Sequence, residues 1–115
     1  MFEKDSISTS EGNLIISFIG HGSLMFEFNN LIIHVDPVMQ EADYSMMPKA
    51  DLIIVTHQHY DHFDLNAIKH LTKKETKLVV TSECIHSTEN LANAEVLKNG
   101  ENTSVCGIDI KAIPA

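Results

Sequence analysis

The sequence is poor in basic residues and has no long apolar run. It contains 8 Lys and Arg residues against 16 Asp and Glu residues, which gives a formal net charge of −8 with the histidines neutral. Proteins that bind the nucleic-acid backbone usually present a basic face, so this charge disfavours a nucleic-acid partner. No apolar stretch approaches the roughly 20 residues that a membrane-spanning helix requires. We therefore expect neither nucleic acid nor a membrane among the partners of this protein.

Cysteine is also scarce. Cys84 and Cys106 are the two cysteines of the chain, and they form no Cys-x-x-Cys pair. The first residues are polar and partly acidic, without the basic start and apolar centre of a secretion signal. These features predict a cytoplasmic protein. In such reducing surroundings we expect both cysteines to be free and buried.

The length of 115 residues fits one small domain, and a hydrophobic content of 43% is typical of folded globular protein. Residues 1–12 are polar and predict a loose N-terminal segment. Asp64 is a suitable N-cap for a helix through Leu71, and a weaker second helix is predicted over residues 82–93. Short apolar runs predict strands over residues 14–19, 24–28, 31–35, 51–56, 77–81, 95–97, 103–106 and 108–113. The predicted fold class is α/β, with a mixed β-sheet and two helices.

The most distinctive feature is a cluster of histidines. Three of the seven histidines of the chain fall within six positions, in the pattern His57-x-His59-x-Asp61-His62. In an extended segment His57 and His59 point to the same side. Imidazole nitrogens and carboxylate oxygens are the usual zinc ligands where thiolates are absent. The cluster directly follows an apolar strand, at the end where open α/β sheets bind ligands, so it predicts a metal site.

Two other interpretations of the cluster are open. It could be a solvated, histidine-rich turn that leads into the predicted helix, or a histidine-rich loop in an unrelated α/β domain. In either case the stability of the protein would not depend on metal. The strand–turn–helix context favours the metal site.

The pattern His57-x-His59-x-Asp61-His62 resembles the HxHxDH signature of the metallo-β-lactamase superfamily. Residues 18–23, 31–37 and 108–115 resemble segments of the branch that includes L-ascorbate-6-phosphate lactonase and related metal-dependent hydrolases. The resemblance extends over roughly residues 14–115. It implies an αββα sandwich, of which this chain would be the N-terminal half, so that residues 1–115 form one partial domain.

The resemblance also implies roles for individual residues. His57 and His59 would bind the first metal, and Asp61 and His62 the second. Asp61 would in addition act in catalysis by holding the nucleophile and taking up its proton. The metals would be two zinc ions, with Mn²⁺ or Fe²⁺ as alternatives, and their remaining ligands would come from the second half of the sandwich.

Two further residues would support this site without binding the metals. By the resemblance, Asp36 would lie beneath the site and orient it, and His21 would lie near its mouth. His34 alternates with apolar neighbours in a predicted strand, and we expect it at the surface.

The function that the resemblance implies is metal-dependent hydrolysis of a small ester, lactone or phosphorylated metabolite by a metal-bound hydroxide. One alternative is a non-catalytic, truncated fragment that binds metal weakly or forms oligomers. Another is a nuclease or phosphodiesterase of the same superfamily, although the acidic charge argues against it. Because half a sandwich would expose an apolar sheet face, we also expect that a second copy of the chain covers this face or that the chain is prone to aggregate.

Overall fold

One large mixed sheet organises the chain in the computed structural model, which describes residues 2–56, 63–81, 84 and 94–113. Within these residues, seven strands lie side by side in the order of the sequence. They are β1 (Glu3–Thr9), β2 (Gly12–Gly20), β3 (Ser23–Phe28), β4 (Leu31–Val35), β5 (Leu52–Ile54), β6 (Lys77–Val80) and β7 (Ala94–Val96). Strands β8 (Asn102–Val105) and β9 (Ile108–Lys111) form a separate hairpin, and α1 (Leu65–Leu71) is the α-helix of the described part. The predicted α/β class with a mixed sheet is confirmed.

The sheet changes character at β4. Strands β1 to β4 run antiparallel, and β4 to β7 run parallel. Asn29 and Asn30 connect β3 to β4 with φ angles of 50° and 64°, the left-handed conformation that a two-residue hairpin turn requires. The parallel strands place their carboxyl ends along one edge of the sheet.

The two faces of the sheet are covered differently. Helix α1 packs on one face, where its Ala67, Ile68 and Leu71 are buried together with Ile53 of β5. The Asp64 side chain accepts a hydrogen bond from Asn66 N at 2.9 Å, which confirms the predicted N-cap. On the opposite face, the β8–β9 hairpin contributes to a smaller apolar cluster, whose buried members are Ile33, Leu52, Val79 and Leu97.

The N-terminal prediction was wrong in part. Residues 3–9, expected within a loose segment, form β1 and pair in register with β2. All seven side chains of β1 are exposed, so the strand is held by its backbone hydrogen bonds and not by burial. A pattern of apolar residues cannot reveal such a strand. The second helix predicted over residues 82–93 falls, apart from Cys84, outside the described residues.

The two cysteines differ in exposure. Both are free thiols, and Cys84 is buried as expected. Cys106 is exposed, contrary to the prediction. It lies in the tight turn between β8 and β9 with a φ angle of 55°, and Gly107 follows it with a φ angle of 78°. Its thiol lies 3.8 Å from the Asp51 carbonyl oxygen and remains exposed.

His34 corrects a second prediction, because it is fully buried and not at the surface. Met25, His34 and Ile53 are register partners on neighbouring strands, and all three face α1. The His34 ring meets the Tyr44 ring edge-on at a centroid distance of 5.6 Å. The alternation with Ile33 and Val35 suggested an exposed face, but the face of β4 on which His34 lies is the one that α1 and Tyr44 cover.

The environment of His34 keeps it neutral. Its Nε2 lies 3.1 Å from the carbonyl oxygen of Pro48, which can only accept a hydrogen bond, so Nε2 carries the proton. Nδ1 is buried and has no hydrogen-bond partner within the described part of the chain. Burial lowers the pKa of His34 from 6.5 to about 4, although the hydrogen bond to Pro48 opposes this shift.

This burial predicts a loss of stability in mild acid. The folded pKa of His34 lies below that of the unfolded chain, so the unfolded state binds more protons between pH 6.5 and about 4. Neutral His34 therefore makes its full contribution to the free energy of unfolding above pH 6.5. This free energy decreases by about 3 kcal/mol as the pH falls from 6.5 to about 4. Urea denaturation of the wild type and of His34→Gln at several pH values measures this difference.

The control is His70→Gln, because His70 is exposed on α1. It should leave the pH dependence unchanged, whereas His34→Gln should flatten it. An equal pH dependence in all three proteins would contradict the assignment to His34.

The sheet face away from α1 is only partly covered. Phe18, Leu24, Val35 and Ile54 are register partners across β2 to β5 on this face. Phe18 is 44% exposed. A groove of about 600 Å³ runs between the β8–β9 hairpin and the open strands, and Phe26, Phe28 and Ile108 belong to its walls. This apolar face is the surface that the sequence analysis expected to be covered.

We propose that a second copy of the chain covers the open face when the chain is alone in solution. Light scattering over a range of concentrations should show association, and Phe18→Glu should weaken it by placing a charge in the apolar contact. The control is Met46→Glu, since Met46 is 82% exposed on the short 3₁₀ helix beside α1. A wild-type chain that stays monomeric at high concentration would refute this proposal.

Candidate metal centre

The candidate site lies at the carboxyl edge of the parallel strands. Strand β5 ends at Ile54, and Thr56 is the last residue that the structure describes before the histidine cluster. The four predicted metal ligands, His57, His59, Asp61 and His62, lie outside the described residues. The description resumes at Phe63, just before α1. The structure shows how Thr56 and Asp64, which flank the cluster on either side, are held.

The first end is held by Asp36. This residue follows β4, and its side chain receives two hydrogen bonds from Thr56 of the neighbouring strand end. Thr56 N donates to Oδ1 at 2.7 Å, and Thr56 Oγ1 donates to Oδ2 at 2.6 Å. Asp36 is 2% exposed, whereas Thr56 is exposed, so the two bonds tie a surface residue to a buried carboxylate. They fix both the backbone and the side chain of the residue that precedes His57.

The second end is held by Asp64. One carboxylate oxygen of Asp64 caps α1, and the other, Oδ2, accepts a hydrogen bond from Met39 N at 2.9 Å. Met39 lies three residues after Asp36. The segment 36–39 therefore binds the chain on both sides of the cluster, at Thr56 before it and at Asp64 after it.

The backbone of Asp36 is itself unusual. Its φ angle is 48°, in the left-handed region that residues other than glycine rarely adopt. Asp36 N donates to Ile54 O at 2.8 Å, and Asp36 O accepts from Ser23 Oγ at 2.7 Å. Uncommon backbone conformations of this kind cluster at functional sites, where the surrounding structure enforces them.

His21 lies in the turn between β2 and β3, two residues before Ser23, and is exposed. Its φ angle is 48°, and the preceding Gly20 has a φ angle of 154°. A side chain at Gly20 would collide with the Glu41 side chain, so the turn lies close to the loop after β4. The structure thus brings the His21 turn to the edge where Asp36 lies. Its position near the mouth of a metal site stays a prediction.

An apolar cavity lies at the same edge. It has a volume of about 190 Å³ and lies at the carboxyl ends of β5 and β6 beside the last residues of β9. Thr56 and Thr81 contribute polar atoms to it, Leu97 and Ile113 apolar surface, and Lys111 the one charged side chain among its described lining residues.

The hydrogen bonds that hold Thr56 and Asp64 were not predicted from the sequence. Asp64 was recognised as a helix cap but not as the acceptor for Met39, and Ser23 and Thr56 were not singled out. These bonds join residues 13 to 25 positions apart, and no local pattern reveals them. In the sequence itself, the one available signal was an aspartate directly before a proline, at Asp36.

Within residues 2–56, 63–81, 84 and 94–113, no group of three or more His, Cys, Asp or Glu side chains is placed to hold a metal. The same part of the chain contains no helix that is long and apolar enough to cross a membrane.

Removal of the Asp36 carboxylate should destabilise the protein. Asp36→Ala leaves the Thr56 amide without its acceptor and puts alanine in a left-handed conformation, so we expect a loss of about 2–4 kcal/mol in the free energy of unfolding. Asp36→Asn is the matched control, because asparagine tolerates this backbone and keeps an acceptor. It should cost less than half as much in urea denaturation. Equal stability of Asp36→Ala and the wild type would show that these bonds are unimportant.

Comparisons with known proteins agree with this architecture. A family model described as a β-lactamase superfamily domain matches residues 15–115. A UPF0173 metal-dependent hydrolase from Nanoarchaeum equitans is 27% identical over 100 residues, which are 87% of this chain and 43% of that protein. The solved structure of a protein named as a metal-dependent hydrolase, from Parabacteroides distasonis, matches with a TM-score of 0.90 and 42% identity, over 100% of this chain and 52% of that one.

A more distant structure shares the fold. It is CmlA, a diiron β-hydroxylase from Streptomyces venezuelae, which matches with a TM-score of 0.68 and 18% identity over 92% of this chain and 24% of that one. The chain spans about half the length of the two hydrolase relatives, 43% and 52% respectively.

Proposed function

The chain belongs to the metallo-β-lactamase superfamily, and from this premise we propose that it is the metal-binding half of a metal-dependent hydrolase. The observation that carries the proposal is the attachment of both ends of the histidine cluster to segment 36–39, at the carboxyl edge of the parallel strands. Ligand sites of open α/β sheets lie at this edge. The proposed substrate is a small ester, lactone or phosphorylated metabolite.

The residues of the cluster suit a transition metal in their chemistry. His57 and His59 would hold one metal ion and Asp61 and His62 a second, with nitrogen and oxygen donors that suit zinc, manganese or iron. Zinc is the metal we propose. The hydrogen bonds that anchor Thr56 support a metal site in the cluster, whichever metal it holds, because ligands on a six-residue segment need fixed ends to converge on one point.

A bound divalent cation would supply Lewis acidity and would lower the pKa of water to near neutrality. The carboxylate of Asp61 would orient the attacking water and accept its proton. Asp36 and Thr56 would hold the backbone from which His57 and His59 project. The cavity beside Thr56 would exclude water and receive the apolar part of the substrate, while Lys111 on its wall could pair with an anionic group.

The chain by itself is expected to be a poor catalyst. Two ligands for each metal are fewer than the three protein ligands of a usual catalytic zinc site. A non-catalytic fragment that binds metal is therefore the second candidate, and the span of about half the relatives' length favours it for the isolated chain. The net charge of −8 still argues against a nuclease. The two free thiols support the proposed cytoplasmic location.

Zinc titration of the metal-stripped chain tests the proposal. We expect binding in the micromolar range or weaker, and a loss of at least about tenfold in affinity for His57→Ala/His59→Ala, since each change removes a ligand. His70→Ala is the control, because this exposed histidine lies on α1 and should not affect the affinity. Zinc affinity that is the same in the double variant and the wild type would refute a metal site in the cluster.

A further inference from the structure

Ser23 is buried at the start of β3 and contacts the backbone of Asp36 directly. It is 1% exposed, and its Oγ donates a hydrogen bond to the Asp36 carbonyl oxygen at 2.7 Å. The next residue, Leu24, pairs with Val35 in the antiparallel register of β3 and β4. Ser23 therefore lies opposite the point where the chain leaves β4 and turns into segment 36–39.

Asp36 needs such a contact because two local preferences oppose its conformation. A left-handed φ of 48° is disfavoured for residues with a Cβ atom, although less for aspartate and asparagine than for the others. A residue before proline, here Pro37, is in addition biased toward extended backbone. The conformation persists because Asp36 N is bound to Ile54 O and Asp36 O to Ser23 Oγ.

The direction of the Asp36 side chain depends on this backbone conformation. With φ held at 48°, the carboxylate reaches both donors of Thr56. If φ changed to an extended value, the Cα–Cβ bond would turn away from β5 and these two bonds would be lost. The hydroxyl of Ser23 thus acts on Thr56, the residue before His57, through Asp36.

From this geometry we propose that Ser23 is a positioning residue for the metal site: by holding Asp36 in the left-handed conformation it fixes the start of the histidine cluster. This inference rests on the proposed metal-binding function. In this role Ser23 acts through Asp36 and Thr56 and not by binding metal or substrate. Its removal should weaken metal binding by relaxing Thr56 and leave the ligands themselves intact.

The chain provides a matched control in Ser17. This residue lies on the neighbouring strand β2 and is 0% exposed, and its Oγ has no hydrogen-bond partner among the residues that the structure describes. Ser17→Ala removes a buried hydroxyl from the same sheet without breaking a bond. Any general effect of the serine-to-alanine change on packing should therefore be present in Ser17→Ala as well.

Two measurements on Ser23→Ala and Ser17→Ala test the proposal. The first is hydrogen exchange of the Thr56 amide without metal, which reports its bond to Asp36 and does not require that the cluster bind metal. Ser23→Ala should reduce the protection of this amide about tenfold relative to Ser17→Ala. The second is zinc affinity, which should fall roughly tenfold in Ser23→Ala and remain at the wild-type value in Ser17→Ala.

The outcomes separate the inference from the proposed function. Unchanged Thr56 protection in Ser23→Ala, or unchanged zinc affinity beside a wild type that binds zinc through its histidines, would refute the role of Ser23 alone. A wild type that binds no zinc would refute the metal-binding function and with it the positioning role. Reduced protection together with reduced affinity supports both.

Discussion

The paired hydrogen bonds between the Asp36 carboxylate and Thr56 are the interaction on which the candidate site depends. They join the ends of two neighbouring parallel strands, between a buried carboxylate and a threonine that lies at the surface. The histidine cluster follows Thr56 directly in the sequence, so these bonds fix the residue from which the cluster starts. The bond between Asp64 and Met39 closes the other side, so that a four-residue segment after β4 sets both limits of the histidine cluster.

The rest of the fold can be understood as support for that segment. Helix α1 packs on one face of the parallel strands, and its N-cap residue is the same Asp64 that binds Met39. The turn between β2 and β3 reaches across to the Asp36 carbonyl through Ser23. The opposite face of the sheet carries apolar side chains that the β8–β9 hairpin covers only in part, which is consistent with a chain that spans about half the length of its relatives.

The sequence predicted those parts of the fold that leave a local pattern. The apolar runs of β2 to β6 and the Asp64 cap follow from side-chain periodicity and helix-capping chemistry. Strand β1 escaped prediction because its exposed, polar side chains contribute no burial. His34 was misplaced because coverage of both sheet faces is a property of the assembled sheet. The bonds of Asp36 to Ser23 and Thr56 connect distant positions, and they become visible only when the strands are in place.

The central claim is that the histidine cluster binds metal at the edge defined by Asp36 and Thr56. X-ray absorption spectroscopy of the zinc-loaded chain tests it most directly, because the spectrum distinguishes ligand types. The account predicts nitrogen and oxygen ligands at about 2.0–2.1 Å with the outer-shell scattering of imidazole, and a reduction of that scattering in His57→Ala/His59→Ala, where His62 remains. A sulfur ligand at about 2.3 Å, which would implicate Cys84 or Cys106, or a spectrum that the double substitution leaves unchanged, would contradict it.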